Sequence, residues 1–238
     1  MKKIIILLAL LFSHCLFASS SVRITDLSGD VKVRRGLDEH WQLARTGMVL
    51  ETIDTILTGE KSRVKLALAE ANNFILGANA ILDIADLRRI SRKELFLLIT
   101  SEKIEKLPQR KSGGQLRISN VNVLHGEKKD SVVEKVTNPL LEQAWQQHRN
   151  GGIDLLEQKY YTNAIVKFHK TLKTYVEVKD CGEIYYFLGQ AFERLENEGQ
   201  ALEAYSNSIK MNFASECIDE QSLFRREKTE KAIMRLKR

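Results

Sequence analysis

Two kinds of hydrophobic spacing divide the chain into two halves. In the first half apolar and polar residues alternate over short runs, most clearly in residues 63–68, where Val64, Leu66 and Leu68 share one side. That two-residue period is typical of a strand with one buried face. In the second half, from about Asn138, apolar residues recur every three to four positions, which predicts amphipathic helices.

Several short strands are expected in the alternating half, separated by polar turns. Besides residues 63–68, they are residues 22–24, 31–33, 74–76, 81–84 and 95–99. Closely spaced short strands indicate a sandwich or a barrel. A change of apolar parity between Ile118 and Val121 predicts a β-bulge in a later strand.

The start of the chain has the layout of a secretory signal peptide, assigned to residues 1–20. Two lysines precede an apolar run over residues 4–12, and small residues follow, with cleavage expected near Ala18 or Ser20. The alternative is an uncleaved membrane anchor, but the run falls short of the roughly 18 apolar residues needed to span a bilayer. We therefore expect a periplasmic protein that would touch the membrane only if the signal were retained.

Composition narrows the classes of function. The chain is 43% hydrophobic and 29% charged, as globular proteins are, which argues against a disordered or multi-span membrane protein. Lys and Arg exceed Asp and Glu by only 37 to 31 with no dense basic block, so no nucleic-acid partner is expected. The histidines are scattered without metal-ligand spacing, and no enzyme motif is present, so we expect a non-catalytic protein without metal or cofactor.

The alternating half resembles the FecR domain. The matching positions are residues 29–34, Trp41, Gly47, Ile53, Ile56, Thr58, Gly59, Ser62, Val64, Leu66, Leu68, residues 74–76 and residues 82–84. They follow the family's pattern of G-x-V-x-V, a tryptophan, a G-D-x-I-x-T-G-x-x-S segment and two alternating strands. The likeness covers about residues 22–90, and residues 116–126 resemble the closing strand more loosely.

Departures from the FecR pattern fall on turns: Thr52 stands where glycine is usual, and residues 70–72 replace an Asp-Gly hairpin. The resemblance implies an extracytoplasmic β-rich interaction module over residues 22–129, without catalytic residues.

The second half is self-similar and follows a charged linker over residues 130–137. One set of matching positions is Gly152, Leu155, Tyr161, Ala164, Phe168 and Thr171, opened by Trp145, and the other is Tyr185, Leu188, Gly189, Phe192, Ala201, Tyr205 and Ser208. They resemble tetratricopeptide repeats, whose period is about 34 residues. The likeness implies an all-α domain over residues 138–238, with repeats at about 145–178 and 182–215 and an end-cap helix over 217–238.

The repeat resemblance also implies a binding groove. First-helix inner positions line the groove in such repeats, and the corresponding residues here are Gln146, Arg149, Tyr186, Gln190, Glu193 and Arg194. The arginines and Tyr186 suit a peptide or carboxylate ligand. The alternative is that these are ordinary exposed helix residues.

Two cysteines precede helices in consecutive units. Cys181 and Cys217 could form a disulfide in an oxidising compartment, provided that their Cα atoms lie within about 7 Å. The alternative is a pair of small buried thiols.

These features together favour an adaptor of the cell envelope, in which the helical groove holds a protein segment and the β domain docks on a second protein. The alternative is a ligand-sensing or glycan-binding module that contacts peptidoglycan or another saccharide through the β domain. For stacking on sugars the first half offers Trp41, Phe74 and Phe96.

Overall fold

The computed structural model describes residues 22–68, 72–105, 139–215 and 217–238, without the side chains of residues 101–105. The expected signal peptide, the bulge and closing strand of residues 116–126, and the linker lie outside the described residues. Within them, a β-sheet region is followed by six helices, so the division into a β half and an α half is confirmed.

Eight strands build the β region. They are β1 Val22–Ser28, β2 Val31–Arg34, β3 Trp41–Leu43, β4 Val49–Leu50, β5 Thr55–Thr58, β6 Arg63–Ala67, β7 Asn73–Leu76 and β8 Ile81–Asp83. They pair antiparallel in two four-stranded sheets with the orders β4-β1-β6-β7 and β3-β2-β5-β8. In β6, Val64 and Leu66 are fully buried whereas Arg63 and Lys65 are exposed, because successive side chains point to opposite faces.

The turn between β1 and β2 depends on a glycine. Gly29 has φ +82°, and a Cβ there would collide with the side chain of Ser62. The Ser62 hydroxyl instead accepts a hydrogen bond from the Asp30 amide at 2.9 Å. Glycine therefore allows the turn after β1 to contact the turn before β6.

The prediction of a strand at residues 95–99 is wrong. After a 3-10 helix at Ile84–Leu87, these residues lie in helix α1, Arg92–Glu105. Ser91 begins the helix: its hydroxyl accepts from the Glu94 amide at 3.1 Å, and its carbonyl accepts from the Leu95 amide at 2.9 Å. A short apolar run fits a strand and a buried helix face equally well, and here the N-terminal cap decides for the helix.

Five helices form the second half: α2 Pro139–Glu157, α3 Tyr161–Thr174, α4 Glu183–Arg194, α5 Glu198–Ala214 and α6 Glu220–Leu236. Two positions show how they repeat. Gly152 of α2 lies against the ring of Phe168 of α3, and Gly189 of α4 lies against the ring of Tyr205 of α5. Because glycine has no side chain, the two helices of each pair approach closely enough for an aromatic ring to pack on the backbone of its neighbour.

Helix α2 joins the two halves by lying against strand β7. Gln158 accepts from the Ile75 amide and donates to the Ile75 carbonyl, both at 2.7 Å. Asp154 accepts from the Gly77 amide at 2.7 Å, and burial raises the pKa of Asp154 to about 6. A Cβ on Gly151 would lie well within 3.0 Å of the carbonyl oxygen of Ile81. The helix therefore lies almost on the backbone of the sheet.

Helix α3 adds an ionic contact to the same interface. The ammonium of Lys167 is fully buried and lies 2.8 Å from the Asp86 carboxylate. Lys170 pairs with Asp83 at 2.7 Å, and Asn163 donates to the carbonyls of Asp86 and Arg88. Burial by itself raises the pKa of Asp83, but the two lysines outweigh it and hold that pKa at about 2. Buried residues of both halves belong to one hydrophobic core.

Candidate functional site

A groove with a volume of about 820 Å³ runs along the helical half. Ile153 and Leu156 of α2 and Phe187 of α4 contribute apolar surface to its lining. The rings of Tyr161, Tyr186 and Tyr205 also line it, and charged side chains complete the lining. An apolar surface with a few polar groups is the usual composition of a ligand-binding cleft.

Four of the six residues taken from the repeat resemblance line this groove. Tyr186, Gln190, Glu193 and Arg194 all lie on α4 and contribute to it. Their spacing places them on adjacent turns of the helix. The structure thus brings together the α4 residues of the predicted set.

The two predicted residues of α2 do not line the groove. Gln146 is exposed elsewhere on the helix. Arg149 bonds Glu183 at 3.1 Å, donates to Asn150, and lies 5.0 Å over the ring of Trp145. The groove meets α2 later, at Ile153, because α2 is 19 residues long and its earlier turns face other neighbours.

Three cations of α6 line the groove and were missed. They are Lys228, Lys231 and Arg235. Their spacing of three to four residues in the sequence places them on one face of a helix. They were not among the predicted groove residues because residues 217–238 were interpreted as an end cap, whose charged side chains were expected to face solvent.

The groove carries an excess of positive charge. Its cations are Lys159, Arg194, Lys228, Lys231 and Arg235, and its acids are Glu157 and Glu193. Glu193 accepts a hydrogen bond from the Tyr205 hydroxyl at 3.0 Å and forms an ion pair with Arg235. Burial and the neighbouring Glu193 raise the pKa of Tyr205, so its hydroxyl stays protonated and donates. Lys231 pairs with Glu227 of the same helix. The groove cations still outnumber these acids, which favours an anionic ligand.

A disulfide joins the segments that precede α4 and α6. Cys181 and Cys217 are bonded, with their Cα atoms 5.9 Å apart. The bridge holds the start of α6 beside the start of α4, so the lysines of α6 and the polar residues of α4 stay on the same groove. Of the two alternatives left open by the sequence, the structure has the disulfide.

Exposed apolar side chains also mark one region of the β half. Leu37 is 101% exposed, and Leu43 and Ile53 are each 66% exposed. A Cβ on Gly36 would lie 3.1 Å from Ile53 Cδ1, so the loop after β2 and the turn before β5 are neighbours. Leu43 belongs to β3, the first strand in the order of its sheet. We call Leu37, Leu43 and Ile53 the edge patch.

The three aromatic residues considered for sugar stacking do not form an exposed cluster. Phe74 is fully buried and packs edge-on against Tyr160. Trp41 is half-buried, with the Arg34 guanidinium 5.3 Å from its ring centroid. Phe96 alone of the three is largely exposed, and it lies on α1.

In the described ranges, no group of three or more His, Cys, Asp or Glu side chains is arranged to hold a metal ion. Over the same ranges, no helix combines the length and the apolar character that crossing a membrane requires.

Comparison of the chain with protein-family models, with curated proteins and with solved structures found no match. The fold is a β-sheet region packed against an array of paired helices, and the groove lies in the helical half.

Proposed function

We propose that this protein is a non-catalytic adaptor of the cell envelope, whose helical groove binds a protein segment that carries carboxylates. The observation that carries the proposal is the groove itself, where tyrosine and phenylalanine rings lie among cations that outnumber the acidic side chains. Aromatic rings provide contact area at a small entropic cost, and cations supply directional bonds to carboxylates.

The finer identity of the two halves belongs to the same proposal. The G-x-V-x-V and T-G-x-x-S positions of the FecR-like pattern fall on β2 and at the turn between β5 and β6. The repeat positions Gly152 and Gly189 lie at helix contacts where a small residue is required. Both observations support a FecR-like β domain followed by tetratricopeptide-like repeats.

A second partner would bind the β half through the edge patch. Leu37, Leu43 and Ile53 expose apolar surface on a sheet edge and on two neighbouring loops, and exposed apolar surface of this kind is typical of an interaction site. The helical half lies against the other side of the sheets, at β7 and β8, so the edge patch stays accessible while the groove is occupied.

The predicted export signal and the disulfide both support a location outside the cytosol. A bridge such as that between Cys181 and Cys217 is stable outside the reducing cytosol. We therefore place the adaptor in the periplasm.

Photo-crosslinking in cells tests the groove. A photoreactive amino acid replaces Tyr186 in one variant and the exposed Val176, which does not line the groove, in a control. We expect a discrete protein adduct from position 186 only, lost when Arg194 and Lys228 are both changed to Glu. The groove proposal is wrong if position 186 gives no adduct in exported, folded protein, or the same adducts as position 176.

A further inference from the structure

The outer face of helix α6 lies mostly outside the groove, which it meets at Lys231. Directly opposite the buried Ser222, Thr229 and Ala232, five exposed residues follow one another at spacings of four and three. They are Glu220, Phe224, Glu227, Lys231 and Met234, and we call them the outer stripe. Spacings of four and three repeat every seven residues, which is the pattern by which two helices pack along their length.

The outer stripe is not the polar surface expected of an end cap. Phe224 is 58% exposed and Met234 is 64% exposed, and Leu223 beside them is 40% exposed. Helical arrays usually end on a polar face, because the last helix has no neighbour to cover apolar side chains. An apolar pair on the last helix indicates that something covers it.

The charges along α6 are unevenly distributed. Asp219 and Glu220 stand at its first turn, and Arg235, Lys237 and Arg238 at its end. A second α6 running antiparallel would bring the acidic end of each helix to the basic end of the other. A parallel arrangement would place like charges together, including Glu227 beside its own copy and Lys231 beside its own copy.

One antiparallel register pairs the apolar residues of the outer stripe with each other and its charged residues with opposite charges. With the two-fold axis at the level of Thr229, Phe224 faces Met234 of the partner and Glu227 faces Lys231 of the partner. By symmetry each pairing occurs twice. Shifting the register by one heptad would place Phe224 opposite Glu227, or Lys231 opposite Met234, so an apolar residue would face a charge in either case.

We propose that the outer stripe of α6 binds a second copy of this chain, as an antiparallel helix pair about a two-fold axis. The paired surface is a single 17-residue helix from each chain, which is small for a permanent dimer. The same axis brings Lys228 toward its own copy, although its ammonium lies 4.6 Å over the Phe224 ring of its own chain. We therefore expect reversible, salt-dependent association with a dissociation constant of about 10 to 100 µM.

A charge-swap series measured by sedimentation tests the register. The purified protein at about 1 to 300 µM should change from monomer to dimer. The variant E227K places Lys opposite Lys in two contacts and should weaken the dimer about tenfold. Because Glu227 also pairs with Lys231 of its own chain, the rescue is measured between chains. Chains carrying E227K mixed with chains carrying K231E have opposite charges at both contacts across the axis and should recover the wild-type dissociation constant, whereas each variant alone should not. Monomer at every concentration, or a mixture no better than E227K alone, overturns the proposal.

Cysteine crosslinking gives a second, geometric readout. Chains carrying F224C, mixed with chains carrying M234C, should form an intermolecular disulfide on mild oxidation, because these positions face each other only across the axis. Either variant alone should crosslink far more slowly. Equal rates in the mixture and in F224C alone would exclude this register. Circular dichroism checks that each variant keeps its helical content. Phe224, Glu227 and Met234 do not line the groove, so a negative result with E227K or with the cysteine pair leaves the groove proposal standing.

Discussion

The contact between Gly151 and Ile81 makes the docking of the two halves sensitive to a single methyl group. In Gly151→Ala the new Cβ would lie well within 3.0 Å of a backbone carbonyl oxygen, which has no rotamer to escape into. Helix α2 would have to move away from the sheet by about 1 Å to restore ordinary van der Waals separation.

That movement breaks the hydrogen bonds that span the interface. The bonds from Asp154 and Gln158 to β7 are 2.7 Å long, and Asn150 donates to the Asn79 carbonyl at 2.8 Å. A shift of about 1 Å stretches them beyond bonding distance, and each contributes about 0.5–1.5 kcal/mol. Losing all four bonds, Gly151→Ala should reduce the free energy that couples the halves by about 2–6 kcal/mol.

The two tryptophans allow each half to be followed separately. Trp41 lies in the β half and Trp145 in α2, so the variants W145F and W41F each leave one reporter. We expect both reporters to give one coincident urea transition in the otherwise unchanged protein and two separate transitions with Gly151→Ala. The matched control is Gly199→Ala, where a Cβ meets nothing within 4 Å and a helix should gain up to about 1 kcal/mol. Coincident transitions with the same midpoint in both glycine variants would refute the reasoning.

Three further changes have defined outcomes. Lys167→Ala removes the fully buried ammonium that pairs with the largely buried Asp86 carboxylate, and it should destabilise the protein by about 3–5 kcal/mol. Lys170→Ala, at a half-exposed site, should cost under about 1 kcal/mol in the same urea titration. Since burial raises the pKa of Asp154 to about 6, above its unfolded value, stability should rise as the pH falls from about 6 to about 4. Asp154→Asn should flatten that part of the pH profile, and an unchanged profile would contradict the raised pKa. Changing Cys181 and Cys217 together to Ser should lower stability by about 2–4 kcal/mol, and the variant should melt identically with and without reductant.

Most of the β half could be predicted because its strands are amphipathic. In β6 the alternation of Val64 and Leu66 with charged residues has one interpretation, since one face is buried and the other is solvated. The run at residues 95–99 is apolar at every position, so its hydrophobic spacing does not distinguish a strand from a helix. The sequence Ser91-Arg92-Lys93-Glu94 was the available signal, because serine followed three residues later by glutamate is a helix start.

The groove residues could be predicted only on a helix whose buried face could be identified from the sequence. Self-similarity placed α4 correctly, because the aromatic and glycine positions of the second repeat fix which face is buried. For α2, carrying over the groove positions of the repeat family selected Gln146 and Arg149, although the groove contacts this helix at Ile153. The ion pair between Arg149 and Glu183 depends on how two helices pack, which no local pattern reports.

The bonds between Gln158 and Ile75 have a consequence for aggregation. Strand β7 is the last strand of its sheet and, at four residues, is longer than the two-residue strand at the other end. A bare edge of this kind pairs readily with a strand of another molecule, and the side-chain amide of Gln158 occupies one amide and one carbonyl that such a strand would use. The helical half therefore protects the sheet from edge-to-edge pairing. Cleavage between the halves should expose the β7 edge, so we expect the released β half to self-associate through β7.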